Sequence, residues 1–185
     1  MIPVQARHNA CDATSEDKTK CPVIVTVTDT CRAAVSRYAA TAEDGRETGG
    51  ILLGHHRERP RPIIDAVHAG DAGPHAVRQV AAFRRDVRHA QALADLAYRT
   101  DGSVWIGEWH THPPGSPQPS SRDLTSYRRL LKDPELAFHV FLTMIILPSR
   151  DCGWSRPNFV GWVVTTADTW PVPLLRRAHL ERTGP

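Results

Sequence analysis

The chain has 185 residues, the length of one ordinary domain, and 41% of them are hydrophobic, which is enough to build a buried core. Its formal net charge of +3 is only mildly basic, so the composition does not indicate a nucleic-acid-binding protein. The longest apolar run, from Val140 to Leu147, is much shorter than a membrane span, and we predict that it forms a buried strand. We expect neither a nucleic acid nor a membrane as a partner.

The cysteine pattern indicates the redox state of the cellular compartment. The four cysteines form no Cys-x-x-Cys pair, and the N-terminus carries no apolar segment of the kind found in secretory signals. We therefore expect free thiols in a reducing cytoplasm. The cysteines are Cys11, Cys21, Cys31 and Cys152.

Three segments differ in composition. Residues 1–21 are polar and mixed, and we expect them to be flexible. Residues 22–178 alternate apolar strand patterns with helical patterns and predict a single α/β domain. Residues 179–185 are predicted to be a C-terminal tail.

The predicted elements alternate along this domain. Thr28 and Thr30 offer N-caps for a first helix, and Gly102 ends a second helix. In chain order we predict a strand at 23–27, a helix to about 40, a hairpin of strands 49–55 and 62–68, a loop at 70–74, a helix at 84–99, a strand at 103–112, a helix at 124–131, a strand at 138–147, a turn at 152–157, and strands at 159–165 and 172–175.

The most informative segment spans residues 107–123, GEWHTHPPGSPQPSSRD. Because alternate residues of a strand point to the same face, His110 and His112 present both imidazoles to one side, while Thr111 faces away. The proline-rich loop turns the chain back, and Asp123 falls in the first turn of the next helix. Two imidazoles and one carboxylate leave one tetrahedral position open, which is typical of catalytic rather than structural zinc sites.

Simpler interpretations exist for each part of this segment. His110 and His112 can be ordinary polar residues on a strand. Ser120 and Asp123 also fit a capping box, which needs no metal, and Ser120 can serve both purposes. The joint occurrence of the pair, the loop, the serine and the aspartate favours the metal site.

The segment resembles the JAMM motif, also called MPN+ or JAB, of zinc metalloproteases. The signature of that family is a glutamate, a variable gap, His-Ser/Thr-His, seven residues, a serine, two residues and an aspartate. His110, His112, Ser120 and Asp123 match it in this sequence. The matching glutamate is Glu47, which stands before Thr-Gly-Gly and an apolar strand.

Two other glutamates compete with Glu47 for this role. Glu43 lies close to it in sequence, and Glu108 lies two residues before His110 on the same strand face. Glu108 can be a supporting group behind the ligands or line the cleft. The family pattern favours Glu47.

The resemblance implies a fold and a reaction. The implied fold is a single JAMM/MPN domain with a mixed, mostly antiparallel sheet sandwiched by helices, similar to the cytidine deaminases. The implied reaction is hydrolysis of a peptide or isopeptide bond at a Zn²⁺ ion held by His110, His112 and Asp123. Glu47 is implied as the general base, and Ser120 as the donor to the oxygen that becomes negative.

The resemblance also suggests a substrate class. Our first hypothesis is a bacterial zinc peptidase or isopeptidase, similar to deubiquitinases, that cleaves after the C-terminal tail of a ubiquitin-like or otherwise tail-conjugated protein, as in ubiquitin-transfer-like anti-phage systems. The alternatives are a processing peptidase for a sulfur-carrier protein in cofactor or cysteine biosynthesis, and a non-catalytic MPN-like interaction module. The segment 149–158 is short where eukaryotic deubiquitinating relatives carry a longer insertion, so linkage-specific polyubiquitin recognition is not implied. Trp154 in this segment can contact a substrate chain or pack in the core.

Overall fold

The structure is a computed structural model that describes residues 21–58, 62–113 and 115–177. The predicted flexible segment 1–21, apart from Cys21, and the predicted tail 179–185 lie outside these residues. None of the described helices is long and apolar enough to cross a membrane.

The described chain is a mixed α/β fold with one large sheet and three α-helices, as the predicted fold class requires. The helices are α1 (Asp29–Ala39), α2 (Val87–Asp101) and α3 (Ser121–Leu131), and a 3-10 helical segment (Ala40–Asp44) follows α1. The strands are β1 (Ile24–Val27), β2 (Gly49–Arg57), β3 (Ile63–Ala69), β4 (Val77–Gln79), β5 (Ala82–Arg84), β6 (Val104–Thr111), β7 (Phe141–Ser149), β8 (Gly153–Val164), β9 (Thr169–Val172) and β10 (Leu174–Arg176).

Eight of the described strands form one sheet in the order β10-β1-β3-β2-β6-β7-β8-β9, and β4 pairs with β5 in a separate hairpin. The pairs β1–β10, β1–β3 and β6–β7 are parallel, whereas the other neighbours are antiparallel. The predicted hairpin of β2 and β3 is confirmed. Strand β6, which contains His110 and ends one residue before His112, lies in the interior of the sheet between β2 and β7.

Neighbouring residues of one strand contact different helices, as the alternation of side chains in a strand requires. Leu52 of β2 belongs to the core cluster that contains Val35 of α1, while Ile51 and Leu53 pack with Ala90 of α2. Helix α3 packs in a third cluster around Phe141 of β7.

The alternation of side chains between the two faces of the sheet is interrupted once inside β6. The register between β2 and β6 shifts at Leu52/Leu53, which is a β-bulge. Ile106 and Trp109 therefore both lie in the core cluster of α1, whereas Glu108 and His110 line a cavity. Trp109 is fully buried in this core.

Several predicted boundaries were wrong. The helix expected from residue 84 begins at Val87 with Asp86 as its N-cap, because the Asp86 carboxylate accepts hydrogen bonds from two backbone N–H groups of the first turn. Arg84 belongs to β5, and the hairpin of β4 and β5 was not predicted. Gly102 ends α2 in the left-handed conformation, as predicted.

The C-terminal half also differs from prediction. The expected turn at 152–157 is mostly strand, since β8 begins at Gly153. The strand expected at 138–147 begins at Phe141 and continues to Ser149, and the last predicted strand divides into β9 and β10. Trp154 is half-buried against the core cluster of α1, so the structure favours the packing interpretation over substrate contact.

Cys31 and Cys152 are free thiols, as predicted, and Cys11 lies outside the described residues. Burial raises the pKa of the Cys31 thiol to about 12, so this group is not a thiolate at neutral pH.

Candidate metal centre

Three side chains offer donor atoms to one point at the C-terminal end of β6. The Nε2 atoms of His110 and His112 lie 2.9 Å apart. Oδ2 of Asp123 lies 3.6 Å from Nε2 of His110 and 3.7 Å from Nε2 of His112. Two donors bound tetrahedrally to one zinc ion at its usual bond length would lie about 3.3 Å apart, so this spacing fits a single metal ion.

The hydrogen bond of Nδ1, the ring nitrogen that faces away from the candidate metal position, sets the tautomer of His112. Its Nδ1 lies 2.8 Å from the carbonyl oxygen of Ser116, which can only accept, so Nδ1 carries the proton. In the neutral ring, Nε2 then presents a lone pair to the centre. The indole of Trp162 donates to the carbonyl of Pro117 at 2.9 Å, which ties the loop that holds Ser116 to strand β8.

Asp123 is placed by the N-terminus of α3. Ser120 is the N-cap of this helix, and its hydroxyl accepts from the Asp123 backbone N–H at 3.2 Å, while the Ser120 N–H donates to Asp123 Oδ2 at 2.7 Å. The predicted capping box is therefore present. Burial alone would raise the pKa of Asp123, but interactions with the two imidazoles and Ser120 hold it well below its usual range, so the carboxylate is ionised.

Glu47, two residues before strand β2, lines the same cavity. The neighbouring Thr48 donates its backbone N–H to the hydroxyl of Thr111 at 2.9 Å, and Thr111 returns its N–H to the Thr48 carbonyl at 2.8 Å. Thr111 stands between the two histidines, so these bonds fix Glu47 relative to both imidazoles. Gly49 pairs with His110, and a Cβ there would lie 2.4 Å from the Trp109 carbonyl oxygen, so only glycine allows this approach.

The surroundings of Glu47 change its acidity. Burial raises the pKa of the Glu47 carboxyl, Asp123 raises it further, and the imidazoles of His110 and His112 oppose the change. A carboxyl group with a raised pKa beside a metal centre suits the acceptance of a proton from water.

The two competing glutamates occupy different positions. Glu108 lines the cavity, which is one of the two positions predicted for it. Its carboxylate is ion-paired with Arg85. The Arg85 guanidinium lies over the ring of Trp105, 4.8 Å from its centroid. Glu43 is exposed in the 3-10 helical segment and is absent from the described lining of the cavity. Glu47 also lines the cavity, and its carboxylate has no ion-pair partner among the described residues.

The cavity has a volume of about 650 Å³. Its lining includes the three candidate metal ligands and residues of α3, and also Ala81, Ala82 and Phe83 of the hairpin of β4 and β5. Three features of the cavity were not predicted from the sequence: this hairpin, the ion pair of Glu108 with Arg85, and the contact of Tyr127 with His110. The spacing of four residues from Asp123 to Tyr127, which places both on one face of a helix, was an available signal for the last.

Together the residues form a concave site with three convergent donors, an open side and a nearby carboxylate. This combination is typical of metal-dependent hydrolases. Residues 32–170 match the family of prokaryotic homologues of the JAB domain. The chain belongs to this family.

Relatives support the same grouping. A CD-NTase/cGAS isopeptidase of Escherichia coli is 34% identical over 95 residues, which cover 50% of this chain and 59% of that protein. A corresponding isopeptidase of Vibrio cholerae is 33% identical over 91 residues, which cover 48% of this chain and 56% of that protein. A probable metalloprotease of Sinorhizobium fredii is 32% identical over 124 residues, which cover 65% of this chain and 74% of that protein.

The matches span little more than half the length of the two isopeptidases. Among solved structures, a protein of Desulfitobacterium hafniense shares the fold with a TM-score of 0.57 and 19% identity, over 84% of this chain and 97% of that one.

Proposed function

We propose that this protein is a metal-dependent isopeptidase that separates a conjugated protein from its target. The observation that carries the proposal is the convergence of His110, His112 and Asp123 in one cavity with Glu47. Relatives named isopeptidase and metalloprotease support hydrolysis as the reaction. The layered arrangement of helices on both sides of the sheet and the likeness to cytidine deaminases stay predictions.

The chain's own residues divide the chemistry between them. His110, His112 and Asp123 would hold the ion, and their two nitrogen donors and one oxygen donor suit zinc. When bound, zinc lowers the pKa of water and polarises a scissile carbonyl. Glu47 accepts the proton from the attacking water and delivers it to the leaving amine. The hydroxyl of Ser120, at the rim of the cavity, donates to the carbonyl oxygen as negative charge develops there.

The substrate is a conjugate in which the C-terminal tail of one protein is joined to a lysine or an α-amine of a second protein, and the bond cleaved is the one that joins them. The cavity is open at the surface, which suits an extended tail. Since two relatives are named CD-NTase/cGAS isopeptidase, a CD-NTase joined through its C-terminus is the first substrate to test. A ubiquitin-like protein joined through its tail is the second.

The test uses intact-protein mass spectrometry on proteins fused or conjugated through their C-terminus to a reporter. The panel contains a CD-NTase, several ubiquitin-like proteins and a sulfur-carrier protein. We expect the zinc-loaded wild type to cleave at the junction, and Glu47→Gln to cleave at least about 100 times more slowly, because general-base catalysis contributes about that much or more.

Cleavage of the sulfur-carrier fusion alone would favour the processing peptidase instead. No cleavage of any member by fully zinc-loaded protein would favour the interaction module.

A further inference from the structure

Tyr127 lies directly behind the metal-facing imidazole of His110. Its side chain is buried, with 2% of the residue exposed. The phenol oxygen lies 3.3 Å from Nδ1 of His110, the ring nitrogen that faces away from the metal centre. The hydroxyl of Thr143, on strand β7, donates to the same oxygen at 3.1 Å.

The protonation of His110 explains why this contact matters. To offer a lone pair on Nε2, the neutral ring must carry its proton on Nδ1. A buried N–H without an acceptor would be costly, and the structure gives Nδ1 the Tyr127 oxygen as its partner. For His112 the same requirement is met by the backbone carbonyl of Ser116. The two ligands therefore have different supports, one main-chain acceptor in a loop and one side chain in the core.

The packing around Tyr127 holds its oxygen in place. The ring stacks on Phe141, with centroids 4.9 Å apart. The residue is fixed at its backbone by α3, the same helix that carries Asp123 four positions earlier. One helix thus carries a proposed metal ligand and the group that orients a second ligand.

We propose that Tyr127, held by Thr143, is a positioning residue that fixes the tautomer and ring orientation of His110 for metal binding. This inference rests on the metal centre of the proposed function. The competing interpretation is that Tyr127 is a core residue that contributes only its ring. Tyr127→Phe separates the two, because it keeps the ring and removes the oxygen.

The measurement is the zinc dissociation constant, obtained by competition with a chromophoric chelator on the full chain at fixed pH. Removal of a group that hydrogen-bonds a metal-ligating histidine lowers metal affinity by about 10- to 100-fold, and we expect Tyr127→Phe to weaken zinc binding by such a factor. Tyr38→Phe is the matched control, because Tyr38 stacks its ring on Trp109 of strand β6, and its hydroxyl is hydrogen-bonded to neither histidine among the described residues. We expect it to bind zinc like the wild type.

Two further measurements accompany the zinc titration, one of folding and one of the His110 tautomer. Thermal unfolding of the metal-free proteins shows whether each variant is folded. If Tyr127→Phe does not fold, Thr143→Val takes its place, and we expect a weakening of zinc binding in the same direction but smaller. The ring ¹⁵N shifts of zinc-loaded wild type should show a protonated Nδ1 in His110.

The possible outcomes separate the two claims. Zinc binding by folded Tyr127→Phe with wild-type affinity would overturn the role of Tyr127 and leave the metal centre standing. A wild-type chain that binds no zinc would overturn the metal centre and, with it, the positioning role.

Discussion

The two walls of the cavity are held in place by different kinds of contact. The ligand wall, formed by His110, His112 and Asp123, is anchored by buried contacts such as that of Tyr127. The base wall, formed by Glu47 and the β4–β5 hairpin, is anchored nearer to the surface. The Glu47 N–H donates to the Gln79 carbonyl at 2.8 Å.

Arg78 supplies a second anchor for the base wall. Its guanidinium donates to the carbonyls of Thr41 at 2.7 Å and Glu47 at 3.3 Å, and to the carboxylate of Asp44 at 2.9 Å. Apart from the Thr48–Thr111 bonds that join the two walls, the proposed metal ligands and the proposed base thus have different supports. Substitutions in those supports should be able to impair metal binding or proton transfer without the other.

The largest effect should come from the ligand wall itself. Removal of a group that hydrogen-bonds a metal ligand lowers metal affinity by up to about 100-fold. Asp123→Ala removes one of the three ligands themselves, so we expect zinc affinity to fall by more than this factor. Turnover should be lost with the metal. Metal content by mass spectrometry after dialysis checks this. Asp133→Ala, which removes another carboxylate that lines the cavity, is the control and should keep its zinc. Full zinc occupancy in Asp123→Ala would exclude Asp123 as a ligand.

The next effect concerns the bonds that join the two walls. Thr111→Val removes the hydroxyl that accepts from the buried Thr48 N–H. An unsatisfied buried N–H should lower the free energy of unfolding by about 1–3 kcal/mol, measured by urea denaturation. Displacement of Glu47 should lower kcat, while zinc still binds. Thr111→Ser keeps the hydroxyl and should stay close to the wild type. If Thr111→Val matched the wild type in stability and in kcat, these bonds would not position Glu47.

A smaller effect is expected at the anchor of the base wall. Arg78→Ala removes three of the contacts that hold residues 41–47 against the hairpin. We expect kcat/KM to fall by about 10-fold, since misplacement of a catalytic group by about 1 Å can cost up to about 100-fold. Zinc affinity should not change. Arg88→Ala, at an exposed position in α2, controls for the loss of one positive charge. A parallel loss of zinc affinity in Arg78→Ala would mean that the two walls are not separately supported.

The smallest effect is a pH-dependent change of stability. The folded-state pKa of Glu47 is raised by burial, so ionisation of Glu47 costs free energy in the folded metal-free protein. This cost is fully present above the folded pKa and disappears below the unfolded value of about 4.3. Metal-free Glu47→Gln should therefore be more stable than the wild type at pH 7, and the difference should vanish as the pH falls below that value.

Thermal unfolding across pH measures this difference. Glu43→Gln, at an exposed position nearby, controls for the loss of one negative charge. A Glu47→Gln variant that is less stable than the wild type at pH 7 would contradict the direction of the pKa shift.

The ligand wall was predictable because its parts are close in sequence. Strand alternation placed His110 and His112 on one face, and the capping pattern placed Asp123 at the start of α3. Glu47, more than 60 residues away from His110, was reachable only through the family pattern, since its position depends on the pairing of β2 with β6.

The base wall was harder to predict for a physical reason. Strands β4 and β5 have three residues each, which is too short for a strand periodicity to be recognised in the sequence. Asp86 as an N-cap was the available signal that α2 begins after the hairpin. The role of Tyr127 depends on its contact with another element, which no local pattern contains.

The central claim is that one wall holds the metal while Glu47 only moves protons. The most direct test measures zinc content by native mass spectrometry and cleavage of the conjugate in the same samples of wild type, Glu47→Gln and His112→Ala. We predict one zinc ion per chain and cleavage at least about 100 times slower than the wild type for Glu47→Gln, and neither zinc nor cleavage for His112→Ala. Loss of zinc from folded Glu47→Gln would place Glu47 among the ligands and contradict the division between the two walls.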